Sequence, residues 1–275
     1  MTAVASGPVR ASAVPARSPG FASVLRSEWT KLWSVRSTTW SLLALVVVTV
    51  GFSALICWGA AANADQMSPQ DRATFDATTI SLSGLSLGQL AIAVLGALAI
   101  SAEYSTGGIR TTLTAIPQRL KVLLAKGLTF AVVALVVSMI TSFGAFFIGQ
   151  AFFATVGVEA HLGDPGVTRA VFGGGLYILG CGMLGFAVGS LLRHSAGSIT
   201  TAIGLLFVLP ILSNLLPGDW GAKIREYFFS NAGSQIWTIR QEPSTLSPWN
   251  GYLVFTVEWL VILLVGAILL ERRDA

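Results

Sequence analysis

The sequence predicts an all-α membrane protein with six transmembrane helices and with both termini in the cytoplasm. Hydrophobic residues make up 53% of the 275 residues, charged residues make up 11%, and the mean hydropathy is +0.73. Because a soluble domain carries about 25% charged residues, this chain lacks the charged shell of a soluble protein.

Six long apolar runs predict the six spans. Five of them contain no charged residue, and the last contains only Glu258. A helix needs about 20 apolar residues to cross the hydrocarbon core. Lipid offers the backbone no hydrogen-bonding partners, so runs of this length must be helices. The predicted spans lie near residues 40–62, 82–102, 127–153, 171–192, 197–216 and 252–270.

The distribution of Lys and Arg predicts the orientation. With a cytoplasmic N-terminus, 12 of the 17 Lys and Arg residues fall in inner segments, whereas most acidic residues fall in outer loops. Inner loops of membrane proteins carry an excess of Lys and Arg. This bias places both termini inside.

Two segments precede the six-span domain, which we assign to residues 37–275. Residues 1–20 are rich in Ala, Pro and Ser and predict a flexible arm. They are not a signal peptide, because the first apolar run starts near residue 40 and is too long for one. Residues 21–36 predict an amphipathic helix in the inner membrane interface; the alternative is a cytosolic extension of the first span. The apolar positions of this helix are Phe21, Leu25, Trp29, Leu32 and Trp33.

The inner loop over residues 102–127 is far more polar than the spans and predicts a finger that projects into the cytoplasm. Gly107 is expected to break the helix that leaves the membrane. A short helix over 109–116 would end at Pro117, and a new helix over 118–126 would re-enter the membrane. The alternative is a plain, positively charged connection.

Three motifs resemble the type-2 ABC-transporter permeases, in particular actinobacterial members. They are EYSTGGIR at 103–110, SEWTKLWSVRSTTW at 27–40, and RHSAGSIT at 193–200, which is followed by LLFVLPIL. The resemblance covers most of the chain and rests on the order and spacing of these motifs.

The resemblance implies a permease subunit of an ATP-driven exporter in the bacterial plasma membrane. Its partners would be a cytoplasmic ABC ATPase and a second permease copy, in a homodimer or a heterodimer, with no nucleic acid. The finger would be the coupling helix that docks on the ATPase. ATP and Mg would bind to that ATPase, and this chain would hold no cofactor. Carried over by position, the coupling residues are Glu103, Tyr104, Gly107, Arg110, Pro117, Arg119 and Lys126.

The composition argues against an enzyme. The sequence has no GxxxxGK phosphate loop for ATP. Only two histidines occur, His161 outside and His194 inside in this topology, so we expect no catalytic or metal-binding residues. An ion-coupled secondary carrier and a non-transport membrane scaffold would also have apolar spans of this kind. A carrier is disfavoured because that class usually places several acids at mid-membrane, and here only Glu258 is available.

Three features remain open from the sequence. Glu258 is either a substrate or gate contact or a hydrogen-bonding partner of a neighbouring helix. The GxxxG pairs Gly84–Gly88 and Gly185–Gly189 permit close helix contact, within the chain or with a second copy. Residues 217–251 either re-enter the membrane or form an outer lid.

Overall fold

The computed structural model describes residues 20–34, 36–105, 107–108, 118–241 and 245–272. Six helical segments in these ranges are long and apolar enough to cross a membrane, and none of the described residues forms a strand. The predicted all-α membrane fold with six spans is therefore confirmed. The six segments are α2 (Arg36–Ala62), α5 (Leu85–Ser105), α6 (Arg119–Ala154), α7 (Val167–Leu192), the broken segment Ser195–Ser213, and α12 (Pro248–Arg272).

Shorter helices connect or interrupt these spans. Their bounds are α1 (Phe21–Ser34), α3 (Pro69–Thr74), α4 (Ala77–Ser81), α8 (Ser195–Ile203), α9 (Leu209–Ser213), α10 (Gly218–Glu226) and α11 (Phe229–Ser234). The helix α3 begins at a capping box. The Ser68 hydroxyl accepts a hydrogen bond from the Asp71 backbone N–H, and the Asp71 carboxylate accepts one from the Ser68 backbone N–H. The break between α8 and α9 is a short π-helix over Gly204–Val208, which ends two residues before Pro210, a residue with no amide hydrogen to donate.

The bundle has two ends that we name by a residue found at each. The Lys126 end holds α1, the C-termini of α5, α7 and α12, and the N-terminus of α6. The Arg169 end holds the opposite termini and the short helices α3, α4, α10 and α11. The predicted cytoplasmic side corresponds to the Lys126 end.

Helix α7 is the centre of the bundle. In its most apolar stretch 78% of the residues are buried within the chain, against 17% in α12 and 28% in α2. Glycines let the neighbouring backbones approach α7 closely. A Cβ added to Gly185 would lie 2.0 Å from the carbonyl oxygen of Ala93, and one on Gly189 would lie 2.7 Å from that of Ala97. Both alanines belong to α5, so this glycine pair serves packing within the chain.

The other predicted glycine pair also faces the chain itself. A Cβ on Gly84 would lie 2.1 Å from the carbonyl oxygen of Thr49 in α2, and one on Gly88 would lie 2.7 Å from the Thr49 hydroxyl. The Gly84 amide also donates to the Ser53 hydroxyl at 3.0 Å.

The segment between α9 and α12 reaches into the bundle at the Arg169 end. Helix α11 packs between α7 and α12, where a Cβ on Gly233 would lie within 3.0 Å of Phe255 and Tyr177. Tyr177 is ten residues into α7, about 15 Å along its axis. The Arg169 guanidinium fixes the segment by donating to the carbonyl oxygens of Ile236 at 2.7 Å and Thr238 at 3.0 Å.

The close approach of α5 and α7 gives a direct test of the packing. We expect Gly185→Ala to destabilise the chain by about 1–3 kcal/mol, because the added methyl group meets backbone that cannot move aside. Thermal unfolding in mild detergent, followed by circular dichroism, measures the change.

The matched control is Gly51→Ala in α2, where an added Cβ has no heavy atom within 4 Å. That variant should unfold at or slightly above the wild-type temperature, because Ala favours the helix. Equal unfolding temperatures for the two variants would contradict the packing described for α7.

Candidate functional site at the Lys126 end

Four charged side chains from three helices meet at the Lys126 end. The Lys126 ammonium donates to Glu28 Oε2 at 2.6 Å and to Glu103 Oε1 at 2.7 Å. The Lys31 ammonium donates to Glu28 Oε1 at 2.6 Å and lies 3.6 Å from Glu103 Oε1. We call these four residues the ion network.

The helices bring these groups together for simple reasons. Helix α6 has 36 residues and is about 54 Å long, whereas a hydrocarbon core is about 30 Å thick. Its length leaves several turns outside the hydrocarbon core, and those at its start present Lys126 near the end of α5. Helix α1 lies against this extension, where Val24 packs with Val122 and Ala125. Glu28 is four residues after Val24 and so shares its face.

The ion network is largely shielded from solvent. The exposed fraction of the side chain is 3% for Glu28 and 11% for Lys126. Burial alone disfavours the ionised carboxylate of Glu28, but the ammonium groups of Lys126 and Lys31 outweigh it and lower the pKa of Glu28. Burial likewise opposes the charge of Lys31, yet its bonds to Glu28 and Glu103 raise the pKa of Lys31. Both residues therefore stay charged at neutral pH.

A second set of contacts holds the C-terminus of α12. The last four carbonyl groups of a helix have no partner within it. Here the Arg193 guanidinium donates to the Leu269 carbonyl at 2.9 Å, and the Arg119 guanidinium donates to the Leu270 carbonyl at 3.2 Å. Cationic side chains also suit the negative end of the helix dipole. The Arg193 guanidinium lies 5.3 Å from the ring centre of Tyr104 in α5.

These contacts involve both sides of the predicted finger. Glu103 and Tyr104 lie where α5 ends, and Arg119 and Lys126 lie where α6 begins. Four of the seven predicted coupling residues therefore lie in one charged region, although the sequence separates the first from the last by more than 20 positions.

The finger itself is only partly described. Gly107 follows the end of α5 at Ser105 and has a φ of +73°, a backbone conformation that glycine adopts without strain. Arg110 and Pro117 lie outside the described residues, as does the short helix predicted over 109–116.

Helix α12 begins at Pro248, four residues before the predicted start of the sixth span near residue 252. Glu258 therefore lies ten residues into the helix, about 15 Å from its start. Its Oε2 atom is buried and has no hydrogen-bonding partner among the residues that the structure describes. Glu258 is far from the Lys126 end, so the two predicted sites are separate.

The sequence analysis missed Glu28, Lys31 and Arg193. In the structure the side of α1 that meets the chain carries Val24 and Glu28, whereas Trp29 and Trp33 are 44% and 47% exposed. Of the five predicted apolar positions, Leu25 and Leu32 are partly buried against the chain, and the two tryptophans are not. A single acid on an otherwise basic helix, three residues before Lys31, was the signal that could have indicated an ion pair.

Metal binding has no candidate cluster in the part of the chain that the structure describes. Within those ranges, no group of three or more His, Cys, Asp or Glu residues could hold a metal ion. Cys57 and Cys181 are free thiols buried between helices.

Six spanning helices with charged groups gathered where they end define a multi-pass helical membrane protein. Residues 34–275 match the family described as ABC-2 family transporter protein, and the chain belongs to that family. It is thus a membrane permease of an ABC transporter, and permeases of this kind work with a cytoplasmic ATPase. No curated protein matches the chain. Glu28 and Lys31 precede the first matched residue, so the ion network joins the family domain to the helix before it.

Loss of the Lys126 ammonium should release α1. We expect Lys126→Met to lower the free energy of unfolding by about 3 kcal/mol, because the buried carboxylate of Glu28 and the half-buried one of Glu103 each lose an ammonium partner. Release is measured with Val24→Cys, a position that is 1% exposed in the folded chain. In detergent-solubilised protein, maleimide labelling of Cys at position 24 should become at least tenfold faster.

Arg26→Met is the control, because Arg26 is an exposed cation on the same helix. It should leave the labelling rate at position 24 unchanged. If Lys126→Met also leaves the rate unchanged, the ion network does not hold α1.

Proposed function

We propose that this permease is the membrane subunit of an exporter and that residues 103–126 couple it to a separate cytoplasmic ATPase. In this proposal the ATPase binds ATP and Mg and carries out hydrolysis. The permease receives the resulting movement through the segment between α5 and α6. The Lys126 end faces the cytoplasm, and α1 lies in the inner interface of a bacterial plasma membrane.

One observation supports this proposal above the others: both sides of the segment are attached to helices beyond α5 and α6. Glu103 and Lys126 bond to each other at 2.7 Å and share contacts with α1. A displacement of the segment therefore cannot be absorbed by these two helices alone. It must move α1, or break the Lys126–Glu28 bond at 2.6 Å and the Lys31–Glu103 contact at 3.6 Å.

A second attachment leads to the last span. Arg119 begins α6 and donates to the Leu270 carbonyl, while Tyr104 contacts the Arg193 side chain that donates to Leu269. Movement of the segment would thus pull on the C-terminus of α12. The same helix carries Glu258, whose carboxylate has a buried oxygen. We propose this carboxylate as a substrate or gate contact in the half of the membrane away from the Lys126 end.

The two Trp side chains of α1 support its interfacial position. Trp29 and Trp33 form a pair with ring centres 6.0 Å apart. Neither side chain is buried by the rest of the chain, so both can contact lipid headgroups. Tryptophan is enriched in the headgroup region of membranes. The helices α2 and α12, which bury little within the chain, leave lateral surface for lipid and for a second permease copy.

Charge reversal in the segment tests the coupling. We expect Arg110→Glu to reduce the amount of co-purified ATPase subunit about tenfold, equivalent to ~1.4 kcal/mol of binding. Gly107→Leu should have a similar effect, because its positive φ does not suit a branched side chain. Pull-down of the co-expressed ATPase and ATP-dependent transport in vesicles are the measurements.

The control is Lys223→Glu, which makes the same charge change at an exposed position of the Arg169 end. It should retain ATPase association. Unchanged association and transport in Arg110→Glu and Gly107→Leu would exclude the coupling role. Transport that persists without any ATPase but stops when the ion gradient collapses would instead favour a secondary carrier.

A further inference from the structure

A cavity of about 360 Å³ lies beside the ion network, between α1, α2, α5 and α6. Ligand pockets for small molecules measure about 300–1,000 Å³, so this space can hold a substantial part of a small ligand. All four residues of the ion network line it. Neither the ATPase coupling nor the family membership assigns a role to it.

The cavity is charged at one end and apolar along the rest of its length. Along α5 its lining runs from Glu103 to Leu95, and along α6 it runs from Lys126 to Ala134. Each of these stretches covers nine residues, about 12 Å of helix from first to last. Between the charged and the far end the walls are mainly leucine, alanine, valine and phenylalanine side chains. This shape suits a polar head joined to an alkyl chain.

One carboxylate oxygen at the charged end of the cavity accepts no hydrogen bond from any described residue. Glu103 Oε1 interacts with Lys126 and Lys31, whereas Glu103 Oε2 is buried without a hydrogen-bonding partner anywhere in the described part of the chain. Buried carboxylate oxygens normally accept a hydrogen bond. The Glu103 carboxylate therefore has acceptor capacity to spare, and its side chain, 21% accessible, lines the cavity.

The charge of the cavity wall is balanced, with two lysines against two glutamates. A head of net charge would upset that balance in a poorly hydrated space, whereas a head with one positive and one negative group would preserve it. Lys31 is the more exposed lysine, with 40% of its side chain accessible, and supplies positive charge at the rim.

We propose that this cavity binds a zwitterionic amphiphile that has a primary ammonium, an anionic group such as phosphate, and an alkyl chain. The ammonium lies against the Glu103 carboxylate, the anionic group lies near Lys31, and the chain extends between Leu95 and Phe130. Aminophospholipids of the bilayer and soluble lysolipids share this chemistry. The proposal does not depend on the ATPase, so its failure and that of the coupling role are distinguishable.

The test is photo-crosslinking of the whole chain in phosphatidylcholine nanodiscs, without ATPase. Two probes carry the same diazirine-bearing acyl chain, one on lysophosphatidylethanolamine and one on lysophosphatidylcholine. Only the ethanolamine head can donate N–H to Glu103. We expect at least tenfold more crosslinking of the ethanolamine probe to the peptides that contain residues 95–103 and 126–134.

Two variants locate the site. Glu103→Gln removes the charge and should reduce the preference for ethanolamine over choline about tenfold. Ala99→Phe fills the cavity from the α5 wall and should abolish crosslinking of both probes, whereas Ala222→Phe, at an exposed position of α10, should not. The head-group comparison in the unaltered chain needs neither variant, so the test holds even if one fails to fold.

The source of the ligand is decided by competition. If diacyl phosphatidylethanolamine in the nanodisc suppresses the ethanolamine probe, the occupant is a bilayer lipid. If only unlabelled lysophosphatidylethanolamine suppresses it, the occupant is a single-chain amphiphile, and either result supports the site. Equal crosslinking of the two probes to these peptides, or crosslinking that Ala99→Phe leaves unchanged, overturns the proposal.

Discussion

The ammonium of Lys126, held between the carboxylates of Glu28 and Glu103, is the contact on which the account of this permease depends. Buried charges are stable only when they are paired and hydrogen-bonded. Each of the three helices that supply these groups is therefore confined by the other two. This explains why a short helix such as α1, which is too polar to insert on its own, has a defined position against the bundle. It also explains why the end of α5 and the start of α6 lie together although residues 106–118 separate them in the chain.

The glycines of α7 hold the spans together within the membrane, as the ion network holds three helices together at the Lys126 end. No hydrophobic effect drives helices together inside lipid, so association depends on close packing. Gly185 and Gly189 allow α5 to lie directly on α7, and the arginines at the ends of α6 and α7 hold α12. The bundle is thus most closely packed around α7. The ion network lies at the end where we propose that the cytoplasmic ATPase acts.

The six spans followed from the sequence because the absence of charge over some twenty residues has a single explanation in lipid. Glu103, Arg119 and Lys126 were predicted to belong to one site because their order and spacing resemble those of a known family. No physical pattern in the sequence brings them together. The role of Glu28 could not be predicted in that way. Its burial depends on how α1 is rotated about its axis, which tertiary contacts at Val24 decide and which the apolar pattern of the helix does not specify. The cavity depends in the same way on the angle between α5 and α6, which local sequence does not encode.

Accessibility of the Lys126 end from the two sides of the membrane tests the central claim most directly. Cys57 and Cys181 are buried, so an introduced cysteine can be labelled selectively with a membrane-impermeant maleimide. At the exposed residues Gln118, before α6, and Gln70, in α3, we expect opposite results. Gln70→Cys should react in intact cells, whereas Gln118→Cys should react only after the membrane is permeabilised. Labelling of Gln118→Cys in intact cells would put the ion network on the outer side, where no cytoplasmic ATPase could reach it.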